Sequence, residues 1–237
     1  MRGMTLSRQA FAVLVLSALA APALGDMAPG PRDVTEEAAR SACIEHPDSE
    51  AMPGSCTVSG FGPLGSVEGH DLFYGLYAYH AADGDFLLRT DVAVYERETD
   101  GRLRVLFAPE ADAVFYDKPA IIETGGRVLL HLPGYESGTG DFNRERLYLW
   151  RDAAWQEVDT AAWLSELAKR LPKGFAVWKG VFPDYRKMTA ATPVWRESDG
   201  NCCPTGGRAD IALGWQGDRI IVKSVRFTLG AKAAGQF

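Results

Sequence analysis

The chain has 237 residues, with 25 Lys and Arg against 31 Asp and Glu and a net charge of −6. Its 46% hydrophobic and 24% charged residues are ordinary for a globular protein and exclude a disordered chain or a collagen-like fibre. The acidic balance argues against a protein that binds nucleic acid or anionic lipid through bulk charge. The length suits one medium domain or a compact pair of domains.

The N-terminus has the pattern of a secretory signal peptide. Arg2 and Arg8 precede an apolar run over residues 11–19, and small residues lead up to Asp26. This order predicts cleavage before Asp26, with 1–25 as the signal peptide. The alternative is an N-terminal membrane anchor, which is disfavoured because a spanning helix needs roughly 18 apolar residues. We therefore expect a periplasmic or secreted protein with no membrane span after cleavage.

The predicted mature chain divides into two parts at about residue 70. Residues 26–70 are expected to form an N-terminal helix, at about 34–44, followed by a wrap without regular structure. Asp33 is the expected N-cap of this helix, with Glu36 at the capping-box position. Glycine and proline are frequent after the helix, which favours a loop-rich wrap. Residues 71–237 are then expected to form an antiparallel β domain with one inserted helix.

Alternation of apolar and polar residues with a period of two predicts the strands of this β domain. Turn dipeptides such as Asp100-Gly101 and Gly217-Asp218 separate the strands. Strands are predicted at 71–79, 92–95, 103–107, 112–116, 119–123, 127–132, 145–150, 154–158, 175–179, 187–196, 207–214 and 219–229. The fold class is therefore mainly β, an antiparallel meander or sandwich-like sheet with two short helices. A strongly bent sheet or a propeller fragment would have the same pattern.

The second helix is predicted at about 160–171, where apolar side chains recur at helical spacing. Asp159 or Thr160 is expected to cap it, and Pro172 with Gly174 ends it. Its apolar face consists of Trp163, Leu164, Leu167, Ala168 and Leu171. We expect this face to be buried against the sheet.

Four cysteines remain after the predicted cleavage, and none has the C-x-x-C spacing of a thioredoxin-type or zinc site. In an exported protein an even number predicts disulfides. We favour Cys43–Cys56, which closes a short loop, together with Cys202–Cys203. The adjacent pair is awkward, because Cα atoms about 3.8 Å apart lie below the usual disulfide window of about 4.4–6.8 Å. Crossed pairs between the two regions, or free thiols, are the alternatives.

The loop after the predicted strand 127–132 is long for a hairpin and is rich in polar groups. Its candidate binding residues are His131, Tyr135, Glu136, Asp141 and Asn143. Asp141, Asn143 and Glu145 recur at alternate positions, as calcium ligands do, but the rest of the EF-hand pattern is missing. The histidines have no zinc-ligand spacing either. We therefore predict no metal site and no cofactor, and either a binding loop or a plain solvated loop.

A second candidate surface starts at Trp178 and runs through aromatic residues that glycine and proline interrupt. Exposed aromatic rings can stack on sugars or anchor a partner protein. Trp178, Asp184 and Tyr185 are therefore added to the candidate binding surface. The alternative for these aromatic residues is core packing.

Two motifs carry a resemblance to a known group of proteins. They are Trp-Lys-Gly-Val-Phe-Pro-Asp-Tyr at 178–185 and Asn-Cys-Cys-Pro-Thr-Gly-Gly at 201–207. With the residues from about 126 to 227, they resemble exported bacterial proteins that end in an N-C-C-P-x-G-G element followed by a β-hairpin. The resemblance covers under half of the chain. It implies export and a C-terminal hairpin, but no reaction, because no activity is known for that group.

The sequence favours an exported, non-catalytic protein that is associated with the cell envelope or binds a partner there. The partner would be an unknown protein or a glycan. Catalytic motifs are missing, since the segment 134–138 is one residue out of step with the nucleophile elbow G-x-S-x-G. We therefore assign no catalytic residue.

The alternative is a secreted or periplasmic enzyme of one of two kinds. A carboxylate-based hydrolase would use Glu136, Asp141 and Asp184, which would have to face one cleft beside the aromatic candidates. A thiol redox protein would use Cys202 and Cys203, because a bond between adjacent cysteines is strained and easier to reduce.

Overall fold

The computed structural model describes residues 33–44, 54–84, 86–109, 114–138 and 140–230. The predicted signal peptide and the part of the wrap before residue 54 lie outside the described residues. Within them the chain is mainly β, with two short helices and antiparallel sheets. The predicted fold class is therefore confirmed.

In chain order the elements are β1 (Asp33–Val34), α1 (Glu36–Ser41), β2 (Gly54–Val67), β3 (His70–Ala81), β4 (Leu87–Arg97), β5 (Leu103–Phe107), β6 (Val114–Tyr116), β7 (Ala120–Thr124), β8 (Arg127–Leu132), β9 (Gly134–Glu136), β10 (Phe142–Asn143), β11 (Arg146–Arg151), β12 (Ala154–Glu157), α2 (Ala161–Arg170), β13 (Phe175–Ala176), β14 (Thr189–Arg196), β15 (Gly207–Gln216) and β16 (Arg219–Leu229). The first sheet has the order β1-β5-β4-β6-β9-β10, and the β2–β3 hairpin also pairs with β4. The second sheet is β12-β11-β8-β7, and the third is β13-β14-β15-β16.

The second sheet lies between the other two, because both of its faces are apolar. Leu129 and Leu147 point into a core shared with α2 and the third sheet. Their chain neighbours Leu130 and Tyr148 point the opposite way, into a core shared with Val92 and other residues of the first sheet. Successive side chains of a strand face opposite sides, so continuous apolar runs in β8 and β11 produce a layered, sandwich-like arrangement.

Helix α2 covers the edge of the third sheet at β16. It buries Trp163 and Leu167 in the core between the second and third sheets. The Glu166 carboxylate accepts a hydrogen bond from the backbone N–H of Val222 at 3.2 Å. The Asp159 carboxylate accepts one from the backbone N–H of Ala162 at 3.1 Å and so supplies the N-terminal cap. The predicted helix is confirmed, and Trp163 and Leu167 of its predicted apolar face are buried, whereas Ala168 is exposed. The protected edge is typical of natural sheets.

Helix α1 is shorter than predicted and has a different cap. Thr35, not Asp33, is the N-cap, and its hydroxyl accepts a hydrogen bond from the backbone N–H of Ala38 at 3.1 Å. Asp33 lies in β1, opposite Arg104 of β5. Its backbone is therefore extended and belongs to the sheet, which prevents it from starting the helix. The expected Asp33 cap is wrong.

The prediction of a loop-rich wrap is also wrong for residues 54–67, because they form the long edge strand β2. It pairs with β3 across the whole hairpin, so the expected boundary near residue 70 falls inside a single structural unit. The register shifts near Gly60 and near Gly65, and Gly65 has a φ of +139°. Bulges and an edge position accommodate glycine and Pro63, which would interrupt a central strand.

The four cysteines form two disulfides. Cys43 bonds Cys56 with a Cα–Cα distance of 6.3 Å, which ties the end of α1 to β2. Cys202 bonds Cys203 with a Cα–Cα distance of 3.8 Å, in the loop between β14 and β15. This is the favoured arrangement of the three that the sequence left open.

Candidate functional site

A cleft of about 360 Å³ opens where loops after β6, β8 and β9 meet the segment 180–185. Its lining consists of Asp117, His131, Pro133, Gly134, Tyr135, Asp141, Glu145, Phe182 and Pro183. Clefts that combine apolar walls with a few convergent polar groups are the usual binding sites of proteins. This cleft is therefore the candidate functional site.

Backbone hydrogen bonds hold the walls of the cleft together. The N–H of Asp117 donates to the carbonyl of Pro133 at 3.0 Å, and the N–H of Arg144 donates to that of Gly134 at 2.9 Å. Gly134 packs so closely that a Cβ atom there would lie 2.7 Å from the ring of Tyr116. Only glycine lets these loops approach each other at that point.

Asn143 fixes the opposite wall. Its carboxamide accepts a hydrogen bond from the backbone N–H of Val181 at 2.8 Å and donates one to the carbonyl of Val181 at 2.7 Å. The N–H of Gly180 also donates to the carbonyl of Asp141 at 2.6 Å. These three bonds place Phe182 at the rim, where 50% of its surface is exposed. Asn143 is therefore a positioning residue.

A buried chain of polar side chains forms the floor of the cleft. One carboxylate oxygen of Glu145 lies 2.8 Å from Nε2 of His131, and the other accepts a hydrogen bond from the Tyr185 hydroxyl at 2.7 Å. Glu145 and Tyr185 are buried, and the rings of Tyr185 and His131 pack edge to face with centroids 5.0 Å apart. Burial and the adjacent Glu145 charge raise the pKa of the Tyr185 phenol, so this hydroxyl stays protonated.

The rim of the cleft combines an aromatic ring with negative charge. Tyr135 stacks on Phe115, with ring centroids 5.6 Å apart. Partial burial is the main cause that raises the pKa of the Tyr135 phenol, and the charges of Asp117 and Asp141 raise it further. The two carboxylates therefore act on the same point of the rim.

Five of the eight sequence candidates lie outside the lining of the cleft. Two of them, Asn143 and Tyr185, support it from behind, and the other three lie elsewhere. Glu136 forms an exposed ion pair with Arg144. Asp184 pairs with Lys187 and lines a more open groove along the third sheet. Trp178 packs against Trp195, with ring centroids 6.0 Å apart. The structure therefore brings His131, Tyr135, Asp141, Asn143 and Tyr185 together at the cleft. It does not bring Glu136, Asp141 and Asp184 into one cleft, as the alternative hydrolase would require.

Three polar or aromatic residues of the cleft are not among the sequence candidates: Asp117, Glu145 and Phe182. Asp117 and Phe182 lie in separate connecting segments, and no local pattern connects them to the loop after β8. Glu145 was noted only for its calcium-like spacing with Asp141 and Asn143. In the structure that spacing has no such meaning, because Asn143 bonds backbone and Glu145 bonds His131 and Tyr185. The described residues contain no group of three side chains placed to hold a metal ion.

The loop with the adjacent disulfide is separate from the cleft. Cys202 and Cys203 are exposed, and neither lines the cleft. The carboxylate of Asp199 organises this loop by accepting hydrogen bonds from the backbone N–H groups of Arg196 at 2.7 Å and Thr205 at 2.8 Å. The described hydrogen bonds of this loop are thus those of a turn that an aspartate side chain stabilises.

No described helix combines the length and apolar character that crossing a membrane requires. Comparisons of the chain with protein-family models, with curated proteins and with solved structures give no match.

Proposed function

We propose that this chain is an exported, non-catalytic β protein of the cell envelope, and that its cleft binds a saccharide. The proposal of export is supported by the N-terminal sequence pattern and by two disulfides, which persist in oxidising compartments. N-terminal sequencing of the secreted protein tests it: a chain that starts near Asp26 is expected, and one that retains residues 11–19 would contradict export by signal cleavage.

The observation that carries the binding proposal is the combination of aromatic rings and carboxylates around one cleft. Tyr135 and the half-exposed Phe182 present apolar ring surfaces, while Asp117 and Asp141 present hydrogen-bond acceptors. The C–H faces of a sugar pack on aromatic rings, and its hydroxyl groups donate to carboxylates.

Truncation of the aromatic rim tests this proposal. We expect Phe182→Ala to weaken saccharide binding about tenfold or more, because buried aromatic contacts dominate binding energies. The measurement is isothermal titration calorimetry against short envelope-type oligosaccharides. Phe182 is exposed in the free protein, so the thermal stability of the variant should stay close to that of the wild type.

The matched control is Phe86→Ala, because Phe86 is also a highly exposed phenylalanine and does not line the cleft. Its replacement should leave the affinity unchanged. If both variants lost the same amount of saccharide affinity, the rings would act through general surface hydrophobicity. That result would contradict a binding site at the cleft.

A second candidate function, hydrolysis, is favoured by the His131–Glu145–Tyr185 chain. A histidine that lines a cleft and is held by a buried carboxylate has the arrangement of a general base. In that case His131 would accept the proton of an attacking water through Nδ1, since Nε2 faces Glu145. This arrangement differs from the carboxylate hydrolase that the sequence suggested.

The two functions differ in the fate of a bound saccharide. Under the binding proposal, an oligosaccharide that binds is recovered unchanged, and His131→Gln alters only its affinity. Mass spectrometry of the ligand after prolonged incubation distinguishes them. Cleavage by the wild type that is lost in His131→Gln would establish hydrolysis and refute the non-catalytic proposal.

A further inference from the structure

We propose that the ligand of the cleft carries a positively charged amine, which the carboxylates of Asp117 and Asp141 and the rings of Tyr135 and Phe182 receive together. This inference rests on the proposed binding function and specifies the chemistry of the ligand. Two sources could supply such a group: an amino sugar without an acetyl group, or a free amine that is not part of a sugar.

The first argument is the charge of the lining. Glu145 is occupied by His131 and Tyr185, which leaves the carboxylates of Asp117 and Asp141 to face a ligand. Lysine and arginine are absent from the lining as far as the structure describes it. Arg144, which is close in the chain, pairs with Glu136 outside the cleft. Two lysines lie beside the aspartates: Lys118 follows Asp117 in the chain, and Lys179 packs against Gly140. Their ammonium groups lie over the rings of Tyr74 and Phe142. The lining itself therefore presents two aspartates and no lysine or arginine.

The second argument is the cost of a neutral ligand. A saccharide that covered Asp117 and Asp141 would remove water from two carboxylates. Desolvation of a charged group costs free energy unless an opposite charge or strong hydrogen bonds replace the water. An ammonium group supplies both, since it carries positive charge and three N–H donors.

The third argument concerns the aromatic rings, and it is independent of the carboxylates. Tyr135 and Phe182 line the same cleft, and half of the surface of Phe182 is exposed. Ring faces attract organic cations, and the attraction increases when the site is shielded from water. A hydrated metal ion would gain little from such rings. The combination of rings and carboxylates therefore favours an organic ammonium group.

Three probes test the inference by calorimetry near pH 6, where amines are protonated. They are a glucosamine tetrasaccharide, the same tetrasaccharide with every amine acetylated, and spermidine as an amine without sugar. We expect the glucosamine tetrasaccharide to bind at least about tenfold more tightly than the acetylated one, and its affinity to fall as salt is added.

Isosteric variants connect this preference to the cleft. Asp117→Asn and Asp141→Asn keep the shape of the side chain and remove one charge each, so each should reduce the preference for the amine about tenfold or more. Glu136→Gln is the matched control, because it removes a nearby charge outside the lining. It should leave the preference unchanged. Thermal melting confirms that each variant is folded.

The outcomes separate the inference from the proposed function. If the acetylated tetrasaccharide binds as well as the free amine, or the aspartate variants keep the preference, the inference is overturned and saccharide binding stands. If spermidine binds at the cleft and neither saccharide does, the amine site stands and the saccharide proposal fails. If Glu136→Gln has the same effect as the aspartate variants, general acidity explains the attraction and the inference fails. If none of the three probes binds, both are overturned.

Discussion

Replacement of Leu167 with alanine is expected to lower the free energy of unfolding by about 2–5 kcal/mol. Leu167 is 1% exposed and lies at the centre of the core that α2 shares with the second and third sheets. The loss combines the apolar surface that the shorter side chain no longer buries with the cavity that it leaves. Unfolding in urea, followed by circular dichroism, measures the change.

The matched control is Leu164→Ala on the same helix. Leu164 is only partly buried at the border of this core, so the same chemical change should cost less. The comparison removes the effect of helix propensity, because both variants exchange leucine for alanine in α2. A stability of Leu167→Ala equal to that of the wild type would show that the buried face of α2 is assigned incorrectly.

Alkaline pH is expected to destabilise the protein steeply, because five tyrosines bury their phenol groups. They are Tyr77, Tyr95, Tyr116, Tyr148 and Tyr185. Burial raises the pKa of each phenol in the folded protein, and the hydroxyl groups of Tyr77 and Tyr95 also bond to each other. In the unfolded chain these groups titrate near the usual pKa of about 10.

The sign of the effect follows from the raised pKa values. Below about pH 10 both states keep their phenol protons, and the stability is fully present. As the pH rises from there toward the raised pKa of the folded protein, only the unfolded chain releases protons. Unfolding is therefore favoured by about 1.4 kcal/mol per pH unit for each such phenol. Urea unfolding at a series of pH values from 8 to about 11 measures the slope.

Tyr148→Phe tests the assignment, because it removes one buried phenol group and keeps the aromatic ring. We expect it to make the pH dependence shallower by the contribution of one phenol. Tyr74→Phe is the control, since Tyr74 is only partly buried. An identical slope in the wild type and in Tyr148→Phe would contradict the burial of this phenol.

The local pattern of the sequence was sufficient for most of the framework. Helix α2 is predicted because Trp163 and Leu167 lie on one helical face, and most strands from β7 onward follow from their alternation and turn residues. The exceptions are β9 and β10, which lie in the segment predicted to be a loop. These features depend on side chains that are close in the chain, so the sequence shows them directly. The short loop between Cys43 and Cys56 favoured the observed disulfide for the same reason.

The local sequence pattern predicted the wrong secondary structure where the tertiary structure overrides local preference. Gly60 and Pro63 argued against a strand at 54–67, but β2 tolerates them because it is an edge strand with bulges. Asp33 is a good helix cap by residue type, yet pairing with β5 holds its backbone in extended form. In both segments pairing with another strand determines the conformation: β2 pairs with its hairpin neighbour β3, and β1 pairs with β5, about 70 residues further along the chain.

The sequence by itself determined which residues form α2 and the strands from β7 onward except β9 and β10, and which segment carries most of the candidate residues. Only the tertiary structure decided which of them meet. Asp117, Glu145 and Phe182 join His131 and Tyr135 because backbone hydrogen bonds connect loops from different parts of the chain. A site of this kind depends on distances between segments remote in sequence, and those distances are set by how the sheets stack and pair.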